Sequence, residues 1–419
     1  MEEFQVAIIG GGPSGMCSGI AASKNSNSVV LLEKTDSLGQ KLLLTGGGRC
    51  NITNSLPIKE QLKLLENKNF LKTSFYSCSN KDLLELFKAK GIDFKEEEYG
   101  KIFPSENKSK DILNILKEYL NELNVEIKLN YKVSKITKKE DFFIINDSIK
   151  VQEVILATGG ITYPETGSSG DGYEIAKSLN HKITNIKHGL VPLIVNDENL
   201  RKLSGITLEN IKVYYNKNFS TKDILITHFG LSGPGILDIS NYIIQNIDYD
   251  TLKNESPIFN DTFITIDFYP EIGKNELNEK IINEIPLNGK LKVKNYLKNY
   301  LPNKFISYFL NTIYIDQDKT LANITKKDKN KIINNLKEFK IKITGIYKDL
   351  SKITIGGIST GDINPKTMES KIVENLYFAG EILDVASISG GYNLQIAFST
   401  AYLAGNLKKK EVLNERNRF

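Results

Sequence analysis

The chain has 419 residues, 40% hydrophobic and 25% charged, with a formal net charge of +5. That length exceeds one ordinary core and predicts two or three domains, and so small and diffuse a positive balance does not by itself argue for a nucleic-acid partner. No apolar run reaches the roughly 18 residues that cross a bilayer. The acidic start MEEFQVAIIGGG is unlike a secretory leader, and three cysteines without CxxC spacing argue against a disulfide framework, a zinc ribbon or a dithiol centre.

FQVAIIG, Phe4 to Gly10, is a short apolar run rich in β-branched residues and predicts a buried parallel strand. A glycine turn and a helix of small residues follow, then a second buried strand at Ser28 to Lys34, which completes a βαβ unit. LLLTGGGRCNITN, Leu42 to Asn54, sets three glycines beside Arg49, Cys50 and Asn51. Lys59 to Lys90 reads as helical, and Asp111 to Leu123 as an amphipathic helix with Asp111 at its N-terminus. Short strands follow, with a hairpin turn at Asn146-Asp147-Ser148, and Glu153 to Gly160 reads as a buried strand ending in glycines.

From about Leu190 to Asp349 the texture changes. Short strands (PLIV, ENIKVYYN, DILITHF, TFITIDFYP) precede charged helices, which predicts an inserted domain, part β and part α. A strand at Asn375 to Asp384 and a glycine-led helix, GGYNLQIAFSTAYLAGNL, close the chain's glycine-rich part. The expected domains are 1–189 and 350–419 as two parts of one α/β domain, with 190–349 inserted between them.

Gly10-x-Gly12-x-x-Gly15 sits between the first strand and its helix. Gly10 permits the tight turn, Gly12 lets backbone approach a pyrophosphate, and Gly15 lets helix and strand pack closely. The helix N-terminus offers free N–H groups to phosphate. Glu33, at the end of the second strand, can accept hydrogen bonds from ribose hydroxyls. The fingerprint fits FAD or NAD. Three features favour FAD: a second glycine-ended strand (Ala157 to Gly160), a late strand carrying Glu381 and Asp384, and a helix led by bare glycines. The last suits a flavin edge where negative charge gathers.

Taken together, GGGPSGM, EKTDSLGQKLLLTGGGRCNITN, ILATGG, THFGLSGPGIL and YFAGEILDVASISGGYNLQIAFSTAYLAG resemble the BaiN-type flavoproteins. These are bacterial FAD-dependent oxidoreductases, some described as aminoacetone oxidases. The resemblance spans nearly the whole chain. It implies an FAD-binding Rossmann-like domain of the glutathione-reductase type, discontinuous, with an inserted β-barrel plus helical domain. It places Gly10, Gly12, Pro13, Ser14 and Gly15 on the pyrophosphate, Glu33 on the ribose and Lys34 beside the adenosine. It places Lys41, Thr45, Gly46, Gly47, Gly48, Arg49, Cys50 and Asn51 on a flavin-proximal loop. Ala157, Thr158 and Gly159 make a second contact, and Gly380, Glu381, Asp384, Gly391, Asn393, Leu394 and Gln395 form a C-terminal flavin motif. Gln40-Lys41 departs from the basic pair that relatives often carry.

The catalytic residues stay open. Cys50 is a packing residue or a thiol near the flavin; His228 is an acid–base group or a turn ligand; Tyr163 and Tyr392 are pocket walls or ordinary aromatic packing. The histidines form no cluster that would hold a metal. With a single well-placed fingerprint, NADH or NADPH docks transiently, another donor serves, or oxygen reoxidises an oxidase. The expected activity is hydride transfer between flavin N5 and a small organic substrate in a cytoplasmic enzyme. The alternatives are an oxygen-dependent amine oxidase, a tRNA-modifying flavoprotein and a regulatory flavin module. An RNA enzyme would need a basic stripe with exposed aromatics. The lysines between Lys290 and Lys342 are interspersed with acids and read as a solvated helical face, so no nucleic-acid partner is expected.

Overall fold

A computed structural model describes residues 1–26, 28–106 and 108–407. The chain divides into two compact units. The first comprises Met1–His188, Asp250–Asn254 and the chain from Lys352 onward; the second comprises Gly189–Tyr249 and Glu255–Ser351. The short return at Asp250–Asn254 is held within the first unit by Thr251 N–H, which donates to the Ile186 carbonyl at 2.7 Å.

The first unit is built on a seven-stranded sheet. Strand β1 (Glu2–Ile9) leads through helix α1 (Pro13–Ser23) to β2 (Val29–Leu32). Helix α2 (Ser109–Glu122) leads to β3 (Glu126–Lys128), and β4 (Ile136–Lys138), β5 (Phe143–Ile145) and β6 (Ile149–Leu156) form a meander. The order is β3-β2-β1-β6-β5-β4, with β1 parallel to β2 and β6. The long strand β6 is shared. Its first half pairs antiparallel with β5, and its second half pairs parallel with the C-terminal strand Leu376–Phe378. Every residue of β2 and of Val6–Ile9 is buried, as expected where both faces of a parallel sheet are covered.

Register positions the site. Ile9 lies opposite both Leu32 and Leu156, and Leu156 lies opposite Phe378. The chain therefore leaves four neighbouring strands at one level, at Gly10, Glu33, Ala157 and Ala379. Open α/β sheets bind ligands just beyond such carboxyl ends.

The C-terminal helix (Tyr392–Gly405) lies against α1 through small residues. Ser18 Oγ donates to the Ala401 carbonyl at 3.2 Å, and a Cβ on Gly405 would stand 2.5 Å from the Ser18 carbonyl oxygen. Both helices are buried nearly all round, so their hydrophobicity is not one-sided.

The second unit holds two antiparallel sheets, of five and four strands. The four-stranded one contains β7 (Lys212–Tyr215), β8 (Asn218–Thr221), β9 (Thr262–Asp267) and β10 (Phe339–Ile343), in the order β8-β7-β9-β10. Its core gathers Phe268, Phe305, Phe309 and Phe339, with ring centroids 5.5 to 6.2 Å apart. Helices Pro234–Gln245, Lys274–Leu287, Asn303–Thr312 and Lys326–Lys337 also belong to the unit.

Some expected elements differ. The helical stretch Lys59 to Lys90 is three helices, Ile58–Lys63, Lys68–Ser77 and Asn80–Lys88. The last starts afresh because Ser79 and Asp82 form a reciprocal capping box. The strand expected at Glu153 to Gly160 is β6, which ends at Leu156 and leaves the glycines in a loop. KLKVKNYLKNYL forms only a short helix, Val293–Tyr296, and a 3-10 turn. Asp111 stands two residues inside its helix, where its carboxylate accepts from Lys108 N–H at 2.8 Å.

Candidate active site and cofactor cleft

A cleft opens at the carboxyl ends of the strands in the first unit. At its floor Gly10 has φ +104°, and a Cβ there would stand 2.6 Å from the Ala157 carbonyl oxygen. A Cβ on Gly15 would overlap the Gly10 carbonyl oxygen, so this helix can meet this strand only without a side chain. A Cβ on Gly12 would meet nothing within 4 Å, so Gly12 exposes backbone to the open cleft. Pro13 starts α1, where its missing N–H costs nothing.

Glu33 forms one wall. Its carboxylate accepts from Gly11 N–H at 2.6 Å and from Thr35 N–H at 2.8 Å. Those bonds fix its rotamer at the lip, the position a ribose-binding acid requires. Beside it, Lys34 pairs with Asp171 at 2.8 Å, and Lys132 lies 3.6 Å from the same carboxylate. Burial works to raise the Asp171 carboxyl, but the bonds from Lys34 and Ser169 outweigh it and hold it below the usual range.

Further along, Lys41 Nζ lies 2.6 Å from Glu381 Oε2 and 2.6 Å from Thr162 Oγ1. Glu381 also accepts from Thr354 N–H at 2.8 Å. Asn393, Leu394, Val385 and Ala386 line the far end. Asn393 closes the preceding loop by accepting from Ser387 N–H and donating to the Ser387 and Ile388 carbonyls.

The sequence-assigned residues separate into those that line the cleft and those that lie behind it. Gly10, Gly12, Pro13, Ser14, Glu33, Lys34, Lys41, Thr45, Ala157, Thr158, Gly159, Glu381, Asn393 and Leu394 line it. Gly46, Gly47, Gly48, Arg49, Cys50, Asn51, Gly380, Asp384, Gly391 and Gln395 are not on that lining, although several hold its shape. Gln395 is fully buried and meets Thr53 Oγ1 at 2.5 Å and the Cys78 carbonyl at 3.0 Å. A Cβ on Gly391 would overlap the Thr53 carbonyl. These two residues dock the loop after Thr45 onto the C-terminal helix. Gly380 packs against Ser14.

The weak catalytic candidates fare differently. Arg49, which the resemblance places on the flavin-proximal loop, pairs with Glu97 at 2.8 Å and lies 4.1 Å from the Phe103 ring centroid. Cys50 is fully buried, and burial pushes its thiol up to about 12, so it is a neutral packing group and not a nucleophile. Tyr392 is buried at the start of the C-terminal helix. Tyr163 is half-buried at φ +59°, and its hydroxyl accepts from Lys352 Nζ at 2.8 Å. His228 is exposed in the second unit, edge-on to Phe229. Residues the sequence did not mark also line the cleft: Tyr131 to Val133, Thr166 to Ser168 and Lys352 to Thr354. They come from segments without any motif, Ile353 and Thr354 from the short strand Ile353–Ile355.

The residues present fit an FAD. Gly12 presents a bare backbone at a helix N-terminus, and Thr158 Oγ1 is buried on the lining without a protein partner. Asn51 Oδ1 is likewise buried and unpartnered in the loop behind Thr45. Buried polar atoms of this kind call for a ligand or water.

The model of the HI0933-like protein Rossmann domain matches residues 4–407, almost the entire chain. The chain belongs to the HI0933-like family. Within this flavoprotein family, also called BaiN-type, the chain is 31% identical to a ribosomal RNA dihydrouridine synthase of Haemophilus influenzae, over 94% of this chain and 96% of that one. It is 28% identical to the 3-dehydro-bile acid delta(4,6)-reductase of Clostridium scindens, over 96% and 98% of the two chains. A solved 3-ketosteroid delta1-dehydrogenase from Sterolibacterium denitrificans shares the fold, with TM-score 0.50, 11% identity and coverage of 97% and 99%. As a member of the HI0933-like family the chain is an FAD-dependent oxidoreductase with a Rossmann-type FAD-binding domain. Among the described residues no helix is long and apolar enough to cross a membrane.

Proposed function

We propose that this HI0933-like protein reduces a carbon–carbon double bond conjugated to a carbonyl, and that its substrate is a uridine of ribosomal RNA. One observation carries the reading. Two relatives aligned along almost their whole length are named for unlike substrates but one bond type. Uridine has a C5=C6 bond conjugated to its C4 carbonyl, and a 3-dehydro steroid with Δ4 and Δ6 bonds has a dienone. In both, a hydride adds to the carbon remote from the carbonyl and a proton to the carbon beside it. The expectation of a small organic substrate without nucleic acid thus gives way to an RNA base. A free enone remains the second reading, favoured by the steroid reductase.

Bound FAD supplies the hydride chemistry, with NADH or NADPH as the donor that renews it. The chain's residues hold it. The α1 N-terminus and Gly12 would hold the pyrophosphate, Glu33 would take ribose hydroxyls, and Thr158 and the Lys41–Glu381 pair would offer polar groups to the rest of the dinucleotide. The N-terminus of the C-terminal helix would favour negative charge on the bound ring. The second unit we read as the inserted cap domain, barrel-like in its β part, that selects the substrate. Its support is its position in the chain, between the two parts of the cofactor-binding unit.

The test is anaerobic reduction of the yellow holoenzyme with NADH or NADPH, followed by unmodified ribosomal RNA transcript. Reoxidation of the flavin together with a gain of two hydrogens per converted uridine is expected. Flavin that stays reduced with RNA but is reoxidised by a steroid dienone would favour the second reading.

A further inference from the structure

We infer that the outward face of the four-stranded sheet in the second unit is a docking platform for single-stranded RNA. The inference rests on the uridine reading above. Strand alternation defines the face. Val213, Ser220, Ile264, Ile266, Phe339, Ile341 and Ile343 point inward and are buried, so the intervening residues face out.

The exposed or half-buried outward residues are rings, lysines and two threonines, Thr221 and Thr265. Phe219 on β8 and Phe263 on β9 are 55% and 42% exposed. Tyr214 on β7 is directly opposite Phe219, with ring centroids 6.0 Å apart. Tyr214 is also opposite Thr265, two residues from Phe263. Three rings therefore step across three adjacent strands, about 5 Å per strand. Lys212 Nζ lies 3.9 Å from the Phe219 centroid and 5.0 Å from that of Tyr214. Lys342 is opposite Phe263, and Lys340 is opposite Thr265.

Lysines interleaved with exposed rings on one sheet face match the two demands of a single strand. Unstacked bases need aromatic faces, and phosphates need cations. Among the described residues Lys212 and Lys340 make no ion pair, and Lys342 pairs only with exposed Asp261, at 2.8 Å. The acidic strand residue on this face, Asp267 opposite Lys212, is buried and paired with Lys337 at 2.8 Å. An apolar protein partner would not select three lysines among the rings, and a polyanion without bases would not select the rings.

The experiment is fluorescence anisotropy of labelled oligouridine with the full-length holoenzyme at stepped salt concentrations. Phe219→Ala combined with Phe263→Ala should weaken binding 10- to 100-fold at an unchanged salt slope. Lys212→Ala, Lys340→Ala and Lys342→Ala together should weaken binding and flatten the slope by about 2. Both variants should keep the flavin spectrum and melting temperature of the parent. The platform is overturned if the parent does not bind oligouridine, if the aromatic variant binds as tightly, or if polyaspartate competes as well as oligouridine. Binding through this face without dihydrouridine formation would sink the activity and keep the platform. Unchanged dihydrouridine formation and binding by the aromatic variant would do the reverse.

Discussion

The two sheets solve opposite problems. The central parallel strands of the first unit's sheet are buried on both faces toward their carboxyl ends, and the proposed cofactor site lies where Gly10, Glu33 and Ala157 leave their strands at one level. The antiparallel β8-β7-β9-β10 sheet buries one face and presents the other, so function there would lie along the strands. A strand-end site leaves a compact motif of glycines and an acid. A strand-face site leaves only every second residue of four separated segments, which no local pattern announces.

The sharpest test of the strand-end site is Gly15→Ala. Its Cβ would overlap the Gly10 carbonyl oxygen, backbone against backbone, so the turn must shift. FAD content per purified chain should fall at least about tenfold, equivalent to 1.4 kcal/mol or more; a fully yellow variant would break the assignment of the turn. Lys41→Met, which removes the bonds to Glu381 and Thr162, comes next. The pair is partly solvated, so about 1 kcal/mol and a melting temperature lower by about 1–2 °C are expected.

A smaller effect follows from His181. Its ring bonds to the Ala176 carbonyl at 3.2 Å and Ser370 Oγ at 2.7 Å and lies edge-on to Phe378, and burial lowers its pKa below the ordinary value. The unfolded chain then binds the proton more readily than the folded one. Stability from this group is complete above about pH 6.5 and is lost as pH falls through the lowered folded value. Thermal melts from pH 7.5 to 5 should show that loss, and His181→Gln should flatten it. The smallest change is expected of Cys50→Ala: turnover within about twofold of the parent, because a thiol raised to about 12 takes no part in chemistry.

Legibility followed the same division. The turn, its flanking strands and Glu33 could be read because each residue type there answers a steric or electrostatic need within a short span. The docking roles of Gln395 and Gly391 were visible only as part of a motif, since their partners, Thr53 and the Cys78 carbonyl, lie over 300 residues away. Arg49 is placed beside the flavin by its glycine loop, yet Glu97 and Phe103 come from another hairpin and engage it. Lys340 and Lys342 were counted with a helical face; they stand on β10, where alternation aligns them with rings on neighbouring strands.

The shared strand β6 also orders events during synthesis. Its second half waits for Leu376–Phe378, and the helix facing α1 is translated later still. The whole intervening unit leaves the ribosome before the dinucleotide cleft can close, so a nascent chain would hold its cofactor only once Tyr392–Gly405 has emerged. Deletion of Tyr392–Gly405 would therefore abolish colour while leaving the four-stranded sheet fully encoded.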